Sequence, residues 1–203
     1  MLRSFSLFLA VALTLVSTPA AADVIRSTVL PAGTRVDLSS LATGVPLAED
    51  EKVFAAAGII SITVTDDPSD NDEFYDGGVY GAGRALYNTE EGELIALDQG
   101  ARVDFGSPTF TIRFFDLTDA FGLRIADTSQ SFATPEIRFF RRDELIDTIL
   151  IDEPYDATTQ FGFRSPKGFD RVEIVSDTDG TGFGMDGVGI TDLTVGNFVG
   201  KPQ

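Results

Sequence analysis

The chain of 203 residues has no cysteine, no histidine and no tryptophan, and only 15 basic residues stand against 32 acidic ones. Each shortage removes a class of function. Without cysteine there is no disulfide to staple the fold and no thiolate nucleophile or metal ligand. Without histidine there is no Ser-His-Asp triad and no His-bearing zinc site. The net charge of −17 argues against nucleic acid and anionic membrane surfaces as partners. No Gly-x-x-x-x-Gly-Lys-Ser/Thr phosphate cradle is present, and residues 180–189 are glycine-dense but lead into a strand pattern rather than a helix.

Long apolar runs are scarce too. Residues 5–16 form one, preceded by Arg3 and followed by Thr18, Pro19, Ala20, Ala21 and Ala22, which end in an A-x-A cleavage signal. The run is too short to span a membrane. Residues 1–22 therefore read as a secretory signal peptide and 23–203 as an exported chain, periplasmic or extracellular, with no membrane span. Losing the leader removes one Arg and no acid, so 14 basic residues face 32 acidic ones, −18, over 181 residues. That length suits one domain with one sizeable core.

What the chain does have is β-pattern. Residues 169–196 close it with a strand, an acidic glycine-rich loop and a last strand. Val172 and Ile174 alternate with Arg171 and Glu173, so one face is buried and one is wet. In the last strand the apolar phase slips between Ile190 and Leu193, which predicts a bulge near Thr191 and Asp192. Upstream, the spacing predicts strands over 24–30, 35–38, 59–65, 83–88, around Val103 and Phe105, and over 109–115, 121–126, 136–141, 145–151 and around Phe161 and Phe163. In the third of these, Ile60, Ile62 and Val64 are expected on one face. The strand over 145–151 is apolar on both faces and is expected to lie centrally, paired as a hairpin with 136–141. One short helix is expected over 48–57, ended by Gly58. About ten short strands with turn signals between them mean an all-β antiparallel sandwich with at most one short helix.

Two acidic stretches are candidate sites. Asp177 and Asp179 lie among Gly180, Gly182 and Gly184, with Asp186 opening the last strand. Close carboxylates among glycine-freed carbonyls suit a hard cation such as Ca²⁺. The spacing is not that of an EF-hand, and a plain acidic turn capped by its own Asp side chains accounts for the same residues. Residues 66–78 form the second stretch, whose bland reading is a solvated charge run. Tyr75 and Asp76 near its end, with Tyr80 just beyond it, are the candidate ligand-binding group, since sugar sites stack rings and the chain has only four Tyr. Tyr87 and Tyr155 are expected at the sandwich rim, and most of the 17 Phe in the core.

The order of motifs adds a resemblance. Phe54, Gly58 and Ile62 in FAAAGIISI are followed by Gly83, Ala85 and Leu86 in GRAL. Phe105 and Pro108 then run to Phe114, Glu144 and Leu145 form a dipeptide, and Phe161, Phe163 and Ser165 give FGFRS. Val172 and Ile174 follow, and Gly182, Gly184 and Asp186 close the series in GFGMD. This order resembles the secreted jelly-roll modules of bacterial PEP-CTERM proteins, over most of the mature chain. It departs from them in Gly187, where a second acidic or Asn residue is usual, and in lacking the C-terminal sorting segment. The resemblance implies a jelly-roll sandwich with a structural Ca²⁺, and Asp186 as the late ligand. Asp37 is the early ligand by expected topology, because its strand should neighbour the last one.

The function expected from the sequence is a secreted, non-catalytic binding or structural module that recognises polysaccharide or another cell-envelope component. The alternative is a carboxylate-dependent, glycan-active enzyme on the same fold. Its candidate acids inside strands, Asp104, Asp147 and Asp170, each alternate onto an expected solvent face.

Overall fold

The computed structural model describes residues 22–65, 77–78, 84–88, 93–98, 102–103, 109–127, 134–152, 158–175 and 188–199. In chain order they form β1 (Ile25–Ser27), β2 (Thr34–Arg35), a 3-10 turn (Leu38–Ser40), α1 (Lys52–Ala56), β3 (Ile59–Thr65), β4 (Gly77–Gly78), β5 (Arg84–Asn88) and β6 (Leu94–Asp98). They continue with β7 (Arg102–Val103), β8 (Thr109–Asp127), β9 (Glu136–Arg141), β10 (Glu144–Leu150), β11 (Gln160–Val175) and β12 (Val188–Val195).

Two long strands, β8 of 19 residues and β11 of 16, organise the molecule. They pair antiparallel, and their register breaks between Arg164 and Arg171. Gly168, inside that break, takes φ +73°. On one side of the break, 109–113 of β8 pair with 171–175 of β11. There β3 joins β8, and β9 and β10 extend from β11, giving the order β3-β8-β11-β9-β10. On the other side, 120–124 pair with 160–164, and the order is β1-β11-β8-β12-β5-β6. β2 pairs with the end of β12. The two strands thus turn a corner together, and their halves belong to the two layers of an antiparallel sandwich.

The inner faces close on a common core. Ile62, Phe110, Ile112, Ile137, Phe139, Val172 and Ile174 come from the first layer, and Leu86, Phe121, Leu123, Ile125, Phe161, Phe163 and Ile190 from the second. Phe139 and Phe163, one from each layer, have ring centroids 5.1 Å apart. The period-2 alternation read from the sequence is the cause in the first layer, where β8 buries Phe110, Ile112 and Phe114 and β9 buries Ile137 and Phe139, whereas in the second layer β6 is buried on both faces. The all-β antiparallel sandwich with one short helix is what the pattern predicted. Among the described residues no helix is long and apolar enough to cross a membrane.

Several expectations need correction. The strand expected over 24–30 is only Ile25–Ser27. Residues beyond it cross the second layer instead: a Cβ on Gly162 would meet the Val29 carbonyl oxygen at 2.1 Å, and one on Gly122 would meet Pro31 Cδ at 2.5 Å. The extended piece over 35–38 is Thr34–Arg35, followed by the 3-10 turn. The helix is Lys52–Ala56, and Gly58 ends it as expected, at φ +83°. Ile60 does not share a buried face with Ile62 and Val64, because a register shift between Ile59 and Ser61 turns it outward and buries Ile59 instead. The strands expected over 109–115 and 121–126 are one, as are the FGFRS strand and the next; the polar residues between them mark the corner, not a turn. The hairpin of β9 and β10 is correct, with Arg142 and Asp143 at φ 50° and 67° in its two-residue turn. Its second strand, however, lies at the sheet edge rather than centrally, with Leu145 and Leu150 exposed. β6 lies in a stretch where the sequence pattern predicted no strand.

Candidate functional site

The last strand builds the site. In β12, Thr191 pairs with Arg124 of β8 and the next pair is Thr194 with Gly122, so Asp192 and Leu193 stand in a bulge. Asp192 takes φ 53°, a left-handed conformation that Asp tolerates better than most residues. The bulge sends Leu193 into the core and leaves the Asp192 side chain only 7% exposed. A carboxylate so placed needs positive partners, and register supplies them. Arg35 sits opposite Thr194 on β2, and Arg124 opposite Thr191 on β8. Arg35 Nη2 ion-pairs with Asp192 Oδ1. Arg124 Nε lies 2.8 Å from Oδ2, though not in hydrogen-bonding geometry. The Arg35 side chain is 66% exposed, so its outer edge faces water.

Arg84 of β5 makes the second wall. It grips Asp98 through Nε and Nη2, at 2.9 and 3.2 Å. Its Nη1 donates to the Ser39 carbonyl at 2.9 Å and to that of Leu41. Thr191 Oγ1 donates to the Arg84 carbonyl at 2.8 Å. The hydrogen bond from Arg84 is the main reason that the Asp98 carboxyl sits below its ordinary value of 3.8. The clamp is therefore complete at neutral pH and weakens only as pH falls through that lowered range.

Two neighbouring clefts share Arg35 and Asp37. The larger, about 690 Å³, is also lined by Val45, Leu47, Glu51 and Lys52. The smaller, about 380 Å³, is bounded by Ser39, Arg84, Thr191 and Asp192. Asp37 caps the 3-10 turn between them: its Oδ1 accepts from Ser39 N at 3.2 Å and from Ser39 Oγ at 2.5 Å.

The topological expectation for Asp37 holds in part. β2 does neighbour the last strand, and Val36 N donates to the Leu193 carbonyl at 2.9 Å. Asp37 itself lies past β2, and the same cleft carries two guanidiniums, Arg35 and Arg84. That company does not fit a divalent cation, and among the described residues no three acidic side chains group to hold one. Asp177, Asp179, Asp186, Tyr75, Asp76 and Tyr80 lie outside the described residues, as do Asp104 and Tyr155. Tyr87, expected at the rim, is fully buried, and a Cβ on Gly189 would meet its ring at 2.2 Å, so it offers no face to a ligand. Asp147 is half-buried and accepts from Val24 N at 2.9 Å, and Asp170 accepts from Arg142 N at 2.9 Å through Oδ2. Both acids are engaged with backbone.

Asp192 was visible in the sequence only as a phase slip. Its Arg partners carried no signal, since an isolated Arg on a strand has no motif.

No family model matches the sequence, and no curated protein matches it. Among solved structures, CBM51 from Clostridium perfringens GH95, in complex with methyl-galactose, is similar at 16% identity, covering 66% of this chain and 99% of that one, with a TM-score of 0.30. A likeness so loose carries no argument, and the fold rests on the strand pairing described above.

Proposed function

We propose that the chain is an exported, non-catalytic binding module that recognises carbohydrate or another cell-surface component at the clefts beside Arg35. The observation that supports this reading is the larger cleft itself. Its volume of about 690 Å³ falls in the range of small-ligand sites. Its walls mix aliphatic side chains with charged groups, of which Arg35 and Asp37 are already held by partners, so a polar ligand meets a donor and an acceptor that need little reordering. Ala42, exposed on the wall, takes part in none of the ion pairs.

Affinity electrophoresis through gels holding different soluble polysaccharides tests the reading. Wild-type protein is expected to be retarded by at least one of them, with its chains left intact. Ala42→Trp, which puts an indole into the cleft, is expected to abolish retardation by a neutral polysaccharide without lowering the melting temperature. Unchanged retardation in that variant would move the site elsewhere. A second reading, a glycan-active enzyme, is favoured by one observation: Asp37 and Glu51 both line the larger cleft. Release of reducing ends, lost in Glu51→Gln, would establish it in place of the first.

Structural Ca²⁺ belongs to the same proposal. Thr65 and Val175, the last described residues before the two acidic stretches, both pair with Thr109 from opposite sides. Both stretches thus leave the sandwich from the same end. A site held at about 100 times its dissociation constant adds about 2.7 kcal/mol, which for a domain of this size raises Tm by roughly 5–10 °C. A rise with Ca²⁺ but not with equal Mg²⁺, lost in Asp186→Ala, is the expected result; equal shifts with both ions would remove the metal.

A further inference from the structure

The layer β3-β8-β11-β9-β10 sets its outward residues in cross-strand rows. One row reads Ser61, Arg113, Arg171, Phe140 and Leu145, each pair in direct register. At about 4.8 Å between strands, the row is about 19 Å long. Two arginines stand side by side in it, an arrangement that is unfavourable by itself.

One of the two is compensated. The Arg171 guanidinium lies 3.9 Å from the Phe140 ring centroid, its Nη1 is 3.0 Å from Asp143 Oδ1, and its Nε is 3.4 Å from Glu173 Oε1. Arg113 is exposed and has neither hydrogen bond nor ion pair among the described residues. Exposed apolar side chains share its face, namely Phe115 of β8 at 57%, Ile60 at 43% and, three strands along the row, Leu145 at 52%; Glu173, on the diagonal, is engaged by Arg171. A chain with twice as many acids as bases places here an uncompensated cation among open rings and aliphatic groups.

We propose that this row is a docking surface for an acidic glycan, a polysaccharide bearing uronate carboxylates. Arg113 takes a carboxylate, and the exposed ring of Phe115 offers a flat face to a sugar ring. The sheet face favours a glycan over an acidic peptide. Extended peptides gain affinity from backbone hydrogen bonds at sheet edges, and in mid-sheet those groups are spent in the ladder. The chain's overall negative charge does not forbid the contact, because at about 0.15 M salt charges beyond about 8 Å are screened.

This inference rests on the carbohydrate-binding reading but assigns a surface apart from the cleft, so the experiment separates the two. Gels contain polygalacturonate, a neutral glucan or poly-glutamate, at about 0.15 M salt. Wild type is expected to be retarded by polygalacturonate, Arg113→Glu to bind about tenfold more weakly or worse, and Ala42→Trp to bind unchanged. Arg113→Gln is expected to shift affinity in the same direction, and neither Arg113 variant to melt lower, since each removes a like-charge neighbour. Loss in Ala42→Trp with retention in Arg113→Glu overturns the inference and leaves the cleft reading standing. Retardation by the neutral glucan alone does the same. Equal retardation by poly-glutamate overturns the glycan as occupant. No retardation by any glycan overturns both readings.

Discussion

Phe139→Ala is expected to destabilise the fold by about 3–5 kcal/mol, the usual cost of deleting a buried aromatic ring. Phe139 is fully buried on the inward face of β9, opposite Val172 of β11. Its ring lies 5.1 Å from Phe163 in the other layer and 5.1 Å from Phe169 at the corner. Phe169 in turn is 6.0 Å from Phe114, which is 5.9 Å from Phe121. These five rings connect both layers through the corner, and Phe139 is the link that faces across. With no disulfide in the chain, the faces of the two layers are held together by packing away from the corner that β8 and β11 turn. For a domain of this size the loss corresponds to a fall in Tm of roughly 6–20 °C. Phe115→Ala, at an exposed site, is the control and is expected to change stability by no more than about 0.5 kcal/mol. Urea melts compare the two. Equal shifts would mean that the two layers do not meet at Phe139.

The sequence made the sandwich legible because half-buried strands advertise themselves by alternation. Ile59–Thr65 was bounded correctly, and the hairpin of 136–141 with the strand after it was correct too. The misses share a cause: they depend on where the chain goes, not on what it contains. A one-residue bulge inverted the faces expected of Ile59 and Ile60. Polar runs such as Ser165 to Gly168 look like turns, yet β11 passes through this one as it bends between layers. The double-faced apolar pattern over 145–151 resembles a central strand, but β10 is at an edge, with Leu145 and Leu150 in water. The site was harder still. Arg35, Arg124 and Asp192 are far apart in sequence, and only the register of β2 and β8 on β12 brings them together. The slip of apolar phase at Asp192 was the one trace of it.

Asp192→Ala is expected to cost about 3 kcal/mol. Breaking a buried ion pair costs about 3–5 kcal/mol when the stranded charge cannot reach water. Arg35 can, being 66% exposed, while Arg124, at 26%, is more confined. The charge term is therefore discounted to about 2 kcal/mol. Alanine at φ 53° adds about 1 kcal/mol or more of left-handed strain. The two contributions are separable. Asp192→Gly removes the charge but relieves the strain, so it is expected to be milder than Asp192→Ala by about 1 kcal/mol. Asp192→Asn keeps the conformational tolerance and one acceptor oxygen, and should be the mildest of the three. Double-mutant cycles by urea unfolding locate the rest: coupling to Arg124 is expected to exceed coupling to Arg35, because the less solvated partner interacts through less water. The reverse order would mean that Asp192 is held from the cleft side, by Arg35. In that case ligand binding beside Arg35 would compete with the ion pair that closes the bulge, so a ligand at the smaller cleft would bind more weakly and raise Tm less than its contacts alone would give.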